Sequence, residues 1–145
     1  MAPTFPCRAI VISCMDWRLW PALDELLRQR LEGGFDRLLV AGGTLALVRP
    51  PDAAVSDYLL SCVDLAYRAH GVRHAVLVAH NDCGAYGGRK AFADETTERA
   101  FLTADLKAGG AKLRERWPDL QTTCLYAVLT KRDEGGYAVR IEEAG

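Results

Sequence analysis

The sequence has no surplus of positive charge and no hydrophobic run long enough to cross a bilayer. Its 18 Lys and Arg residues are balanced by 19 Asp and Glu residues, which gives a formal net charge of −1. Proteins that bind nucleic acid through its phosphates carry a basic patch, so nucleic acid is not an expected partner. No apolar run approaches 18 residues, so neither a transmembrane helix nor a membrane partner is expected.

The sequence also lacks the signals of a secreted, disulfide-linked protein. Residues 1–6 contain neither the positively charged region nor the apolar region of a signal peptide, so a cytoplasmic location is expected. The chain has five cysteines, and an odd number in an intracellular protein argues against a disulfide framework. Each cysteine is therefore expected either to bind a metal ion or to be buried.

Length and composition are those of one globular domain. The 145 residues are 50% hydrophobic and 26% charged, which is ordinary for a domain that buries its own core. No repeat, linker or low-complexity segment divides the chain. We therefore expect a single domain over residues 1–145.

Apolar runs typical of buried strands alternate with segments in which apolar residues recur at the spacing of a helix. The predicted strands cover residues 9–13, 37–41, 74–79, 123–130 and 137–142. A helix is predicted after each of the first three strands, with a loop over 42–51 and a break or kink at Gly109-Gly110. The order β-α-β-α-β-α-β-β predicts an α/β fold. Its helix-covered sheet is expected to be mostly parallel, in the order 2-1-3-4 with an antiparallel edge strand 5.

Polar stretches with metal-binding side chains follow the first and third predicted strands. Residues 13–18 read Ser-Cys-Met-Asp-Trp-Arg, and residues 80–84 read His-Asn-Asp-Cys-Gly. Sites in parallel sheets lie beyond the carboxyl ends of the strands, where the strand order reverses. In a 2-1-3-4 sheet this point lies between strands 1 and 3, so Cys14 and His80 are expected side by side.

The two stretches together offer two thiols and one imidazole, from Cys14, His80 and Cys83. This ligand set suits zinc, and three protein ligands leave a fourth position open, as in catalytic sites. Zinc lowers the pKa of its bound water to about 7, which supplies a hydroxide nucleophile. The alternative interpretation is that both cysteines are small buried hydrophobic residues.

Asp16 and Arg18 form an acid–base pair beside the predicted zinc ligands. Arg18 is expected to keep the Asp16 carboxylate ionised and oriented, because a nearby opposite charge lowers a carboxyl pKa. Asp16 could then accept a hydrogen bond from the water on zinc, or it could become the fourth ligand. A salt bridge that only stabilises the loop is the third alternative.

These motifs resemble the two signatures of the β-class carbonic anhydrases. Cys14-x-Asp16-x-Arg18 and His80-x-x-Cys83-Gly84 match the family residue for residue, and the likeness extends to residues 71–78 and to the C-terminal hairpin. The resemblance implies that Cys14, His80 and Cys83 bind Zn²⁺ and that the Asp and Arg form a catalytic dyad. It also implies reversible hydration of CO2 to bicarbonate by a homodimer or higher homo-oligomer.

Two departures from the family pattern fall near the predicted substrate pocket. The family has Arg-Asn before Ala-Gly where this chain has Leu39-Val40, and Trp17 replaces a small residue. Two alternative functions are therefore kept open. The chain could hydrolyse a CO2 analogue, carbonyl sulfide or carbon disulfide, or it could be a catalytically silent zinc-binding homologue.

The remaining cysteines and the other two histidines are expected to be structural. Cys62 and Cys124 lie at predicted core positions, and Cys7 is expected to be structural as well. His70 and His74 flank a predicted helix–strand turn and are expected to be surface or capping groups rather than metal ligands.

Overall fold

A single five-stranded sheet organises the computed structural model, which describes residues 6–144 of the chain. The strands are β1 (Ala9–Cys14), β2 (Phe35–Val40), β3 (His74–His80), β4 (Gln121–Lys131) and β5 (Tyr137–Glu143). Their order in the sheet is β2-β1-β3-β4-β5. All neighbouring pairs are parallel except β4 and β5, which are antiparallel. The predicted fold class and strand order are therefore confirmed.

Strands β1 and β3 are central because their side chains are apolar on both faces. Every residue of β1 is buried, and so is every residue of β3 after His74. Continuous apolar runs of this kind are typical of parallel strands that are covered on both sides. Edge strand β5 is at most half-buried along its length, in keeping with its alternating sequence.

Helices cover both faces of the sheet. They are α1 (Ala22–Arg30), α2 (Leu45–Val48), α3 (Ala53–Ala69) and α4 (Glu95–Arg116). The core on one face includes Leu23 and Leu27 of α1, whereas the core on the other face includes residues of α2, α3 and α4. The side chains of Asp52 and Asp94 cap the amino ends of α3 and α4.

Two local predictions for the helices were wrong. The segment predicted as a loop contains the four-residue helix α2, and α4 runs through Gly109-Gly110 without a break. Gly109 lies where α4 packs against Thr44, and a Cβ atom on Gly109 would be 2.3 Å from Thr44 Cγ2. This glycine therefore permits a close helix contact rather than ending the helix.

The described part of the chain contains no helix with the length and apolarity that a bilayer crossing requires.

Neighbouring parallel strands bring the two polar stretches to the same edge of the sheet. β1 and β3 pair directly, with Ile12 opposite Leu77. β1 ends at Cys14, and β3 ends at His80. Both side chains therefore emerge at the carboxyl edge, where the strand order reverses.

Candidate metal centre

The side chains of Cys14, His80 and Cys83 converge at this edge and are all buried. One ligand atom from each residue lies within 4.8 Å of the other two. The two Sγ atoms are 3.9 Å apart. Two Zn–S bonds of about 2.3 Å at a tetrahedral angle would place the sulfurs about 3.8 Å apart. The two thiols thus have the separation that a shared zinc ion requires.

The imidazole of His80 is oriented with one nitrogen toward the cysteines and one toward the backbone. Nδ1 lies 2.7 Å from the carbonyl oxygen of Asn81, so Nδ1 carries the proton and donates it. Nε2 then has a free lone pair, and no described residue provides it with a hydrogen-bond partner. The ring is only 1% exposed, and an unpaired buried polar atom is costly. A metal ion at Nε2 would remove this cost.

A hydrogen bond between the two thiols favours a thiolate at Cys14. The pKa of Cys14 is lowered mainly because the Cys83 S–H donates to its sulfur, and that of Cys83 is raised by the same contact. The backbone N–H of Gly42 also points at Cys14 Sγ, at 3.4 Å. Metal binding requires thiolates, and a thiolate is therefore already favoured at Cys14.

Side chain and backbone contacts hold the turn that carries His80 and Cys83. The amide of Asn81 pairs with the backbone of Leu129 in β4, with its Nδ2 donating at 3.1 Å and its Oδ1 accepting at 2.7 Å. The next residue, Asp82, has a positive φ of 55° and donates its N–H to the buried carboxylate of Glu98 at 2.8 Å. Two separate elements, β4 and α4, therefore fix the turn.

The backbone after Cys83 is anchored by a half-buried tyrosine. The carbonyl oxygen of Cys83 accepts hydrogen bonds from the N–H groups of Tyr86 and Gly88. The hydroxyl of Tyr86 donates to Asp105 of α4 at 2.8 Å, and Arg49 forms an ion pair with the same carboxylate. Burial and this hydrogen bond raise the pKa of Tyr86, which keeps it a neutral donor.

Asp16 is held by Arg18 beside the three candidate ligands. The Arg18 Nη2 donates to Asp16 Oδ2 at 2.7 Å, Nε lies 3.1 Å from both carboxylate oxygens, and the backbone N–H donates to Oδ1. These hydrogen bonds lower the pKa of Asp16. Asp16 Oδ2 is 3.8 Å from His80 Nε2. An ionised, fixed carboxylate therefore faces the position that a metal ion would occupy.

Arg18 also binds the second polar stretch. Its Nη1 donates to the Asp82 carboxylate at 3.1 Å, and its Nη2 donates to the Asp82 carbonyl oxygen at 2.8 Å. The pKa of Asp82 is lowered, first by the backbone N–H of Arg89 and then by Arg18. One guanidinium thus connects the two loops that supply the cluster.

The structure brings together all five residues that the sequence predicted for the site, and it adds others. Asn81 and Asp82 lie inside the second motif, so their polarity next to the candidate ligands was a usable signal. Glu98 and Asp105 gave no such signal, because acidic residues on a helix are usually solvated. Both are buried on α4.

An open cavity leads to Cys14, and its lining includes several apolar side chains. The lining residues are Cys14, Met15, Asp16, Trp17, Arg18, Ala41, Asp82, Gly84, Ala85, Gly87 and Gly88. Trp17 is 73% exposed and Met15 is 62% exposed. Trp17 therefore borders the approach to the site, as expected. Neither Leu39 nor Val40 is among the lining residues, and Val40 packs against the core.

The other cysteines and histidines lie away from this site. Cys62 and Cys124 are half-buried, and burial raises the pKa of Cys124. The ring of His74 contacts Thr123 Oγ1 at 2.8 Å, and burial lowers its pKa. Cys7 and His70 lie near the amino ends of the strands, at the opposite edge of the sheet.

Sequence comparison assigns most of the chain to one family. Residues 5–126 match a family described as "Putative carbonic anhydrase". The chain is also 28% identical to an uncharacterised protein of Rickettsia conorii over 116 residues and to one of Rickettsia bellii over 118 residues. Each match covers 77% of this chain, but only 62% of the R. conorii protein and 71% of the R. bellii protein.

Solved structures with the same fold are β-carbonic anhydrases of low sequence identity. The enzyme CafA of Aspergillus fumigatus gives a TM-score of 0.62 at 16% identity, covering 97% of this chain and 77% of that one. One of two tetrameric β-carbonic anhydrases of Sordaria macrospora gives 0.63 at 17% identity, covering 97% and 82%. The resemblance found in the motifs is thereby confirmed. The chain belongs to the carbonic anhydrase family that matches residues 5–126, and it has the fold of the β-class enzymes.

Proposed function

We propose that the protein is a zinc-dependent carbonic anhydrase that converts CO2 and water reversibly into bicarbonate and a proton. The observation that carries this proposal is the unpartnered Nε2 of buried His80, which faces two cysteine sulfurs and an arginine-bound carboxylate. Cys14, His80 and Cys83 would be the metal ligands. When bound, Zn²⁺ supplies Lewis acidity that makes water a nucleophile near neutral pH.

Asp16 has the role of an oriented hydrogen-bond acceptor in this mechanism. Its carboxylate is ionised because Arg18 lowers its pKa, so it does not store the proton that the reaction releases. It accepts a hydrogen bond from the attacking water and turns a lone pair of that oxygen toward the carbon of CO2. A C–O bond forms, one C=O π bond opens to give bicarbonate, and the released proton passes to solvent.

Arg18 has a positioning role and an electrostatic role. It holds Asp16 through two nitrogens and binds Asp82 with the remaining N–H groups. Its positive charge favours the developing negative charge of bicarbonate at the mouth of the site. The apolar side chains of Met15 and Trp17 line the approach, which suits CO2, a small molecule without a dipole.

The proposal includes a homodimer or higher homo-oligomer of single-domain subunits in the cytoplasm. Trp17 and Met15 are large exposed hydrophobic side chains beside the cavity, and such patches mark interaction surfaces. The neighbours from Sordaria macrospora are tetrameric. A second subunit that covers Trp17 would narrow the approach to the site.

Trp17 also favours a second candidate function, the hydrolysis of carbonyl sulfide or carbon disulfide. A tryptophan at the cavity adds apolar, polarisable surface that suits a sulfur-containing analogue of CO2. Hydrolysis of carbonyl sulfide consumes one water and gives CO2 and hydrogen sulfide.

Stopped-flow CO2 hydration by zinc-loaded protein tests the proposal, with sulfide release from carbonyl sulfide measured on the same sample. At pH values up to about 9, we expect CO2 hydration well above the rate in buffer alone. We expect little release of sulfide from carbonyl sulfide. Sulfide release together with slow CO2 turnover would contradict the carbonic anhydrase proposal and support hydrolysis of carbonyl sulfide instead. Full zinc occupancy with neither activity would reject both and leave a silent zinc-binding protein.

A further inference from the structure

We propose that Cys7, Asp36 and His70 form a second metal site, which takes Zn²⁺ or another thiophilic divalent cation. The site is separate from the candidate centre at Cys14 and does not depend on the proposed function. One ligand atom from each of its three residues lies within 4.8 Å of the other two. These atoms are a sulfur, a carboxylate oxygen and an imidazole nitrogen, and all three types are ligands of zinc.

Three separate parts of the fold meet at this cluster. Cys7 precedes β1, Asp36 is the second residue of β2, and His70 follows the last turn of α3. The backbone N–H of Cys7 donates to the carbonyl oxygen of His70 at 3.0 Å, which fixes the two chain segments against each other. The fold therefore brings the three side chains together, although the residues are far apart in the sequence.

The cluster is too far from the first centre to share an ion with it. It lies at the amino end of β1, and Cys14 lies at the carboxyl end. Six residues of a parallel strand span about 20 Å. A protein with both sites occupied would therefore hold two independent ions per chain.

The chemistry of the donors selects a zinc-like ion. A thiolate and a carboxylate together carry two negative charges, which balance a divalent cation. The sulfur disfavours Ca²⁺ and Mg²⁺, which prefer sets of oxygen ligands. The side chains of His70 and Asp36 are 29% and 31% exposed, so an ion can reach the site and keep a water molecule as a fourth ligand.

The contact between His70 and Asp36 needs only a small rearrangement to accept the ion. His70 Nδ1 donates to Asp36 Oδ2 at 2.6 Å. Zinc bonds of about 2.1 Å at a tetrahedral angle would place these atoms about 3.4 Å apart, so the two side chains separate by about 0.8 Å. Rotation of two half-exposed side chains provides this movement. The competing explanation is a His–Asp ion pair with Cys7 packed beside it.

Metal stoichiometry distinguishes the two explanations. Apo protein is dialysed to equilibrium against buffered zinc, and bound zinc per chain is measured by mass spectrometry for wild type, Cys7→Ser and Cys62→Ser. Cys62 is a half-buried cysteine outside both clusters and serves as the matched control. We expect two zinc ions in wild type and Cys62→Ser, and loss of one in Cys7→Ser. Equal stoichiometry in all three variants would overturn the proposal.

Cobalt spectroscopy provides a second readout that does not depend on activity. Of the two candidate metal clusters found in the described part of the chain, a Cys14→Ser/Cys83→Ser variant keeps only the one with Cys7. We expect Co²⁺ to give a thiolate-to-metal charge-transfer band in this variant, and the band to vanish when His70→Gln is added. If the double variant does not fold, Cys7→Ser in otherwise wild-type protein must lower the band intensity. A band unchanged by Cys7→Ser would reject the site.

Discussion

The guanidinium of Arg18 binds Asp82 on the opposite loop, with its Nη2 2.8 Å from the carbonyl oxygen and its Nη1 3.1 Å from the carboxylate. The two residues are 64 positions apart in the sequence. Arg18 also binds Asp16, through Nε and through the same Nη2. The residue that orients the candidate catalytic carboxylate therefore also joins the two loops that carry the candidate metal ligands.

This double contact predicts a selective effect of Arg18→Lys. A lysine keeps the charge but cannot bind both partners through a planar fork. We expect CO2 hydration to fall roughly 100-fold, as when a preorganised donor is removed, while zinc content stays at the wild-type level. Arg140→Lys is the control, because Arg140 is an exposed arginine on β5. Loss of zinc with loss of activity would show that Arg18 maintains the loops rather than the reaction.

The tether between Asn81 and Leu129 predicts weaker zinc binding in Asn81→Ala. The substitution removes two hydrogen bonds and leaves the N–H and carbonyl groups of Leu129 unpaired. We expect the free energy of unfolding to fall by about 1–3 kcal/mol and zinc affinity to fall about 10-fold. Chemical denaturation and competition with a zinc chelator measure the two effects. Gln121→Ala removes an exposed amide and should change neither the free energy of unfolding nor the zinc affinity. Equal effects in Gln121→Ala and Asn81→Ala would show that the tether between Asn81 and Leu129 does not support the zinc site.

The two adjacent glycines of α4 should respond in opposite ways to alanine. A Cβ atom on Gly109 would lie 2.3 Å from Thr44 Cγ2, whereas one on Gly110 meets the flexible end of Arg114 first, at 3.2 Å. We expect Gly109→Ala to lower the free energy of unfolding by about 1–3 kcal/mol through overpacking. Gly110→Ala should be neutral or stabilise by up to about 1 kcal/mol.

Thr44→Ala tests whether the clash explains the Gly109 effect. It removes the Cγ2 atom that the new methyl group would meet, so the double variant should regain part of the lost stability. Purely additive effects of the two substitutions would contradict a direct clash.

The cap of α4 predicts a pH-dependent contribution from Asp94. Its carboxylate accepts the Thr97 N–H at 2.7 Å, and this hydrogen bond lowers the pKa of Asp94. The folded state therefore has the lower pKa, so the stabilisation is present above the unfolded pKa and is lost as the pH falls through the folded one. Asp94→Ala should lower Tm at pH 7, and the difference from wild type should shrink below pH about 4.

Asp94→Asn distinguishes the capping hydrogen bond from the negative charge of the carboxylate. Asn is as good a cap as Asp, so Asp94→Asn should keep Tm near wild type at pH 7. Because Asn does not titrate, the Tm of Asp94→Asn relative to wild type should rise below pH about 4 by the same amount as that of Asp94→Ala. A constant deficit for Asp94→Ala at all pH values would show that the ionised carboxylate does not contribute.

Strand order and the first centre could be predicted because they depend on strong local patterns. The apolar runs of β1 and β3 are continuous, and the alternation of elements then places Cys14 beside His80. Helix α2 was missed because its four residues are too few for a periodic signal. The Gly109 contact with Thr44 arises from tertiary packing, which the sequence around Gly109-Gly110 does not show.

The rest of the site could not be predicted from the sequence, because it depends on contacts between residues that are far apart in the chain. The pairing of Asp82 with Glu98 depends on how α4 lies across the sheet. Cys7, Asp36 and His70 come from three separate parts of the chain, so no short sequence motif reveals their cluster. Only the folded chain brings these groups together.

X-ray absorption at the zinc edge tests most directly whether Cys14, His80 and Cys83 hold one zinc ion. The sample is zinc-loaded Cys7→Ser protein, which lacks the thiol of the second cluster. We expect two sulfur scatterers at about 2.3 Å and a light-atom shell that contains one imidazole nitrogen at about 2.0–2.1 Å. A zinc shell with no sulfur, or with a single sulfur, would contradict it.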